Sequence, residues 1–283
     1  MQPYEIIYRP RCEIDWNVAS RNPHPYAVEY LLAHPEKIHW GFFTQNSNPL
    51  AIKYVLAHSD MFYWYYWYGL SMNSHPLAVE YLLAHPDKMD KIDLGVFSSN
   101  PNTQAVAYLL AHPEKIDWNE FSRNPHPEAV AYLLAHPEKI YWYDFSRNPH
   151  PYAVEYLLAH PDKIRWGNFS QNPNPRAVEY LLAHPEKINW GYFSDNPHPL
   201  AIEYVLTHPD IIDWKGLVDN PNPIVVDYIL TRPDKQHWWK KLSHNPAIFE
   251  LNKEKMKETK AALHQDLVNY FLHPDKIEAW INS

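Results

Sequence analysis

Residues 124–140 read NPHPEAVAYLLAHPEKI, and the phrase returns as NPHPYAVEYLLAHPDKI at 148–164 and NPNPRAVEYLLAHPEKI at 172–188. Self-similarity at a fixed short period marks a solenoid, in which each unit touches mainly its neighbours. Units open at Asn22, Asn46, Asn73, Asn100, Asn124, Asn148, Asn172, Asn196 and Asn220, mostly 24 residues apart, and Asn245-Pro246 stands as a tenth opening. The units from Asn46 and Asn73 are 27 residues long. Residues 1–21 hold half a unit, with Trp16 and Ser20 matching the second half of the pattern.

Pro127 suits the first turn of a helix, where its missing N–H costs nothing. Ala-Val-x-Tyr-Leu-Leu-Ala continues that helix, and Pro137 ends it by removing a donor and restricting His136. The result is too short to persist alone in water. Asp117-Trp118-Asn119-Glu120-Phe121-Ser122 reads as an N-cap and a second short helix with 3₁₀ character. No stretch alternates with period two, so strands are not expected, and a leucine-rich repeat with an L-x-L strand in each unit is discounted. The apolar set Val130, Tyr132, Leu133, Leu134, Ile140, Trp142 and Phe145 recurs in each unit but does not offset the entropy of ordering one unit alone; stacking does.

The expected fold is therefore all-α: a right-handed helical-repeat solenoid alternating an α-helix with a short helix. Its parts are a half-repeat cap at 1–21, nine tandem repeats at 22–244 and a capping C-terminal helix at 245–283. In that last segment Leu263, Leu267, Val268 and Phe271 form an apolar face at helical spacing, opposite interleaved Lys and Glu. The asparagine that opens each unit has two readings. Either it bonds turn backbones within and between units as a stacked row, or it is an ordinary turn former before proline. The row is favoured, because ordinary turns tolerate Asp, Ser or Gly and these never use them.

Composition narrows the function. Six glycines, with no GxGxxG or GxxxxGK[ST], leave no nucleotide-phosphate cradle. Cys12 is the single cysteine, which rules out an intrachain disulfide framework and fits a reducing compartment. The opening MQPYEIIYRPRCEID lacks the pattern of a signal peptide, so secretion is not expected, and the longest aromatic-apolar run, Met61 to Tyr68, is too short to span a bilayer. A formal charge of −8 disfavours nucleic acid as a partner.

The repeat resembles the tandem repeats abundant in giant DNA viruses of protists, of the type N-P-x-A-I-x-L-L-x-x-x-P-x-K-I-x-W-x-x-L-S. The resemblance covers essentially the entire chain, including the ending from Asn245-Pro246-Ala247-Ile248-Phe249-Glu250 to Leu272-His273-Pro274-Asp275-Lys276-Ile277. Repeat length and helix alternation are also similar to leucine-rich-repeat variant proteins. The resemblance implies a repeat scaffold in the host cytoplasm or the virus particle. This chain differs in its wealth of Tyr and His and in its two three-residue insertions.

Histidines recur before the helix-ending Pro or Ser (His34, His58, His85, His112, His136, His160, His184, His208) and in the turn (His24, His75, His126, His150, His198), where they alternate with Asn. Equivalent histidines about 10 Å apart in stacked units are poorly placed to share a zinc ion, so structural roles are expected and no metal or cofactor. The Glu or Asp after each His-Pro is read as a first-turn carboxylate rather than half of an acid–base pair, because a catalytic centre is one distinct constellation.

Specificity is expected at positions that change. The residue after the second turn proline runs Tyr26, Leu50, Leu77, Glu128, Tyr152, Arg176, Leu200, Ile224, and the residue before the tryptophan runs His39, Asp117, Tyr141, Arg165, Asn189, Asp213. Tyr26, Tyr152, Arg176, Tyr141 and Arg165 are the candidate contacts from these rows. A further candidate is the inserted aromatic run, above all Tyr63, Trp64, Tyr65 and Tyr66, which is read equally as an exposed interface anchor and as filling under longer loops, with carbohydrate stacking a weaker third choice. The function expected is a non-enzymatic scaffold for a protein partner. The alternatives are an architectural component of a virus particle and a single-stranded RNA-binding repeat.

Overall fold

The computed structural model describes residues 6–8, 15–59, 64–85 and 91–232, with 234, 238, 241, 242, 245 and 249–251 beyond them. Among these residues the chain is a tandem array of helices with each unit packed on the next, one long and one short per unit except in the unit from Asn46, whose second helix is as long as its first. The long helix is Pro127–Ala135 in one unit, Pro151–Ala159 in the next and Pro175–Ala183 after that. The short helix, such as Trp118–Ser122 or Trp142–Phe145, is α-helical. The 3₁₀ turn falls instead on Pro137–Lys139 and its equivalents, where Lys139 N–H donates to the His136 carbonyl at 2.9 Å. Proline at the first position and only three residues before Ile140 turns inward leave no length for an α-turn.

One contiguous core runs the length of the array. Ala129, Val130, Leu133 and Phe145 are fully buried, as are their equivalents in neighbouring units, with Ile140 nearly so. The tryptophans lie half-buried across the junctions: Trp142 stacks on Tyr156 of the next unit at 5.9 Å between ring centres, and Lys163 of that unit sits over the same indole at 5.7 Å. Trp118, Tyr132 and Lys139 repeat the arrangement.

The asparagine row is real. Asn148 is fully buried; its Nδ2 donates to the Ser122 carbonyl at 3.0 Å and the Asn124 carbonyl at 2.8 Å, on either side of the start of the preceding unit, and its Oδ1 accepts from His150 N–H at 3.0 Å. Asn46, Asn73, Asn100, Asn124, Asn172 and Asn196 make the same three bonds. A serine row runs beside it, with Ser122 Oγ donating to the Trp118 carbonyl at 2.7 Å and accepting from Tyr141 N–H of the next unit at 2.9 Å.

The two histidine sets use one ring nitrogen in opposite senses. In the turn, His150 Nδ1 accepts from Tyr152 N–H at 3.3 Å and N-caps the long helix, as Asn174 Oδ1 does for Arg176. At the other end, His160 Nδ1 donates to the Tyr156 carbonyl at 2.8 Å, satisfying a carbonyl the helix leaves free.

Array curvature follows from unequal spacing. Between residues 94 and 145 neighbouring short helices make closer contact than the long helices beside them, despite being about half their length. A Cβ on Gly216 would lie 3.1 Å from the Gly191 carbonyl oxygen, and one on Gly69 3.1 Å from the Gly41 carbonyl oxygen, so these helices approach backbone to backbone. The short helices therefore line the inner, concave side. One strand pair accompanies the bend: Ile6–Tyr8 pairs antiparallel with Phe249–Leu251, Ile6 opposite Leu251. Strands were not expected, and Phe249–Leu251 falls in the segment read as a capping helix; its described residues hydrogen-bond to the opposite end of the chain instead. Nine units stacked straight at ~10 Å each would hold the ends ~90 Å apart, too far for linkers that reach at most ~3.5 Å per residue. The rest of the expected capping helix lies outside the described residues.

Two predictions follow from these rows. Replacing Asn148 by Asp sets a carboxylate against two buried carbonyls; the variant is expected to lose about 3–5 kcal/mol in chemical denaturation at neutral pH, whereas an exposed Asn119→Asp change is near neutral. Burial lowers the pKa of His24 and His150, whose Nδ1 must stay unprotonated to cap. Their contribution is thus complete above the unfolded-state value of about 6.5 and is lost as pH falls through it toward the lower folded value. A His24→Asn/His150→Asn protein, capped without a titrating group, should lose less melting temperature between about pH 7.5 and pH 5.5 than wild type does.

Candidate functional site: the variable rows and the concave face

Because each position of the unit recurs at one place along the array, variable positions form rows. Tyr152 (65 % exposed) and Arg176 stand one unit apart on the first turns of their long helices. Tyr141 (50 % exposed) and Arg165 stand one unit apart at the N-caps of short helices. The long helix and its turn separate the two rows, ~13 Å for nine residues at 1.5 Å each, so they form separate edges. Tyr26 is half-buried, packed against the core. Leu200 and Ile224 are exposed, and Ile224 borders a shallow, mostly apolar cavity of about 380 Å³ with Pro199, Ile202 and Leu206.

The aromatic insertion is placed in part. Trp64–Met72 is a helix, Tyr63 lies outside the described residues, and so do the side chains of Trp64 and Tyr65. Tyr66 is only 7 % exposed, against Trp40 at 6.3 Å, and Trp67 is buried as well. For Tyr66 the filling role holds and the contact role does not. Tyr68 is exposed.

The repeated His and Glu pairs lie at the surface: His112 Nδ1 and Glu114 Oε1 are 3.5 Å apart, the histidine half-buried and the glutamate exposed, and the pairs at His34 and His136 are alike. Among the described residues no group of three or more His, Cys, Asp or Glu side chains is placed to hold a metal ion, and no helix is long and apolar enough to cross a membrane.

What the sequence reading passed over is the inner face. Two more rows vary there. One runs Glu120, Asp144, Asn168, Tyr192 and Gly216; the other runs Arg123, Arg147, Gln171, Asp195 and Asp219. The signal was the same unit-to-unit change that singled out the outer rows. These side chains interlock across units. Arg123 pairs with Glu120. The Arg147 guanidinium lies 5.5 Å from the Tyr143 ring centre and 5.8 Å from that of Tyr192, bridging over the unit that holds Asn168. Gln171 Nε2 donates to Asp195 Oδ2 at 3.2 Å. Burial, more than any neighbour, raises the pKa of Glu120 and of Asp144 against the pull of Arg123. Asp195 goes furthest, to about 6, through burial first and then Asp219, with Arg147 opposing and Asp213 adding. Asn168 is 2 % exposed, yet its Nδ2 has no acceptor, and neither does Arg147 Nε. Comparison with protein-family models, curated proteins and solved structures finds no match for the chain.

The Asp195 shift predicts a stability change of definite sign. A carboxyl whose folded pKa is near 6, against about 3.9 unfolded, binds more protons folded than unfolded between those values, so its charge opposes folding as pH rises. Asp195→Asn, which keeps an acceptor for Gln171, should raise the melting temperature at pH 7.5 by about 2–4 °C, and the gain should vanish near pH 4.

Proposed function

We propose that the chain is a non-enzymatic scaffold that binds protein, working, as its sequence resemblance implies, inside an infected cell or in a virus particle. One observation carries the reading: the frame and the variable rows are made by different residues. Asparagine, serine, tryptophan and the buried aliphatics hold each junction. The side chains at Tyr141, Tyr152, Arg165 and Arg176 are exposed and change from unit to unit. An array built so presents a long surface whose chemistry is free of the demands of folding. Surface His and Glu pairs repeated along the array do not make the single enclosed constellation that catalysis asks for. Single-stranded RNA is a poorer fit, because carboxylates accompany the arginines on every row and the chain is acidic. Affinity capture with the full chain should retain defined proteins at about 0.15 M salt, and Tyr152→Ala/Arg176→Ala or Tyr141→Ala/Arg165→Ala should release at least one of them. Capture of no protein, together with tight, salt-sensitive binding to single-stranded RNA, would reverse the assignment.

A further inference from the structure

We propose that the concave face around Asp144, Arg147, Asn168 and Asp195 binds an extended basic peptide segment, one with Lys or Arg at every third residue in a polyproline II conformation. The proposal rests on the protein-binding reading and names its partner chemistry.

Spacing is the first argument. The inner carboxylates recur at unit intervals, Glu120 with Asp144 and Asp195 with Asp219, and neighbouring units of a helical stack lie ~8–10 Å apart. A polyproline II segment advances ~9.3 Å per three-residue turn and returns the same face each turn, so basic side chains fall opposite successive units, with Asn168 and Gln171 taking the place of a carboxylate in the unit between Asp144 and Asp195. An α-helix returns a face every 5.4 Å and falls out of step.

Charge complementarity is the second. On this face carboxylates outnumber cations even when Lys215 is counted with Arg123 and Arg147. Their crowding is visible at Asp195, where Asp219 and Asp213 add to the effect of burial. An ammonium or guanidinium there relieves repulsion that the fold itself leaves standing.

Unpartnered donors are the third. Asn168, between Asp144 and Tyr192 in its row, is buried with a bare Nδ2, and Arg147, which reaches to Tyr192, has a bare Nε. A polyproline II backbone makes no internal hydrogen bonds, so its carbonyls are free to accept from both. Tyr143 and Tyr192 are exposed and offer flat faces to proline rings. Tyr192 covers the ground over Gly167, where a Cβ would meet its ring at 3.5 Å, and lies 5.8 Å from the Arg147 guanidinium, so a rotation of this exposed side chain on the ps–ns scale uncovers Arg147.

The test uses the full-length protein and a fluorescein-labelled peptide of five Lys-Pro-Pro triplets, read by fluorescence anisotropy at about 0.1 M salt. The controls have the same composition with the lysines in one block, or glutamate in place of lysine. The spaced peptide should bind about tenfold tighter than the blocked one and the glutamate peptide not at all. Asp144→Asn/Asp195→Asn should weaken binding about tenfold, and Asn168→Ala should weaken it while circular dichroism shows the array still folded. Asp195 faces Asp213, Asp219, Arg147 and Gln171, so binding should also strengthen as pH rises through about 6. Equal affinity for spaced and blocked lysines, full affinity in the folded double variant, or no binding of the spaced peptide would overturn the proposal. Failure here alongside successful protein capture on the outer rows defeats this site alone; failure of both defeats the scaffold reading too.

Discussion

From Asn46 to Asn196 an asparagine amide bonds to two carbonyls that flank the start of the unit before while accepting an N–H from its own turn, as Asn148 does with Ser122, Asn124 and His150. Asparagine is the short side chain that can do this. Aspartate has no donor, serine has one, and glycine would leave buried backbone carbonyls unpaired. Because the bonds reach backbone rather than side chains, they fix the offset between units without constraining what the variable positions hold. The serine row and the tryptophan stack then repeat at that offset, and the small side of each unit, the short helix, closes up to give the concave face.

The sequence displays this frame well, for a physical reason. A contact repeated at every junction leaves a periodic trace, so the long helix between Pro127 and Pro137, the Asp117 cap and the asparagine row were all open to reading. The role of turn histidine as an asparagine substitute was visible in their exchange, though not the sense of its hydrogen bond, which depends on a tautomer. What has no periodic trace was missed or misplaced. The 3₁₀ turn moved because Pro137 and Lys139 permit either a loose turn or a tight one, and only the inward anchor at Ile140 decides between them. The three-residue strands at the two chain ends carry no local pattern of their own. Tyr66 was split evenly between surface and core, and its burial rests on Trp40 in another unit.

The inner rows show a subtler limit. Asp144, Arg147 and Asp195 are as variable in sequence as Tyr141 or Tyr152, but nothing within one unit says which side of it is concave. That depends on the difference in spacing between long and short helices, a property of the pair. Once the curvature is known, the same residues become neighbours across several units, and burial raises the pKa of Asp144 and Asp195. The molecule thus has an interior frame of repeated contacts and a short-helix face on which polar groups are crowded, partly dehydrated and incompletely bonded, which is where a ligand gains most from each contact it makes.

Circular dichroism of residues 124–147 as a free peptide, set against the full chain, tests the mutual dependence of the units most directly. The account predicts that the isolated unit shows no cooperative melt and little helix in water, while the full chain is strongly helical and melts cooperatively. A free unit with a helical spectrum and its own sharp melting transition would contradict it.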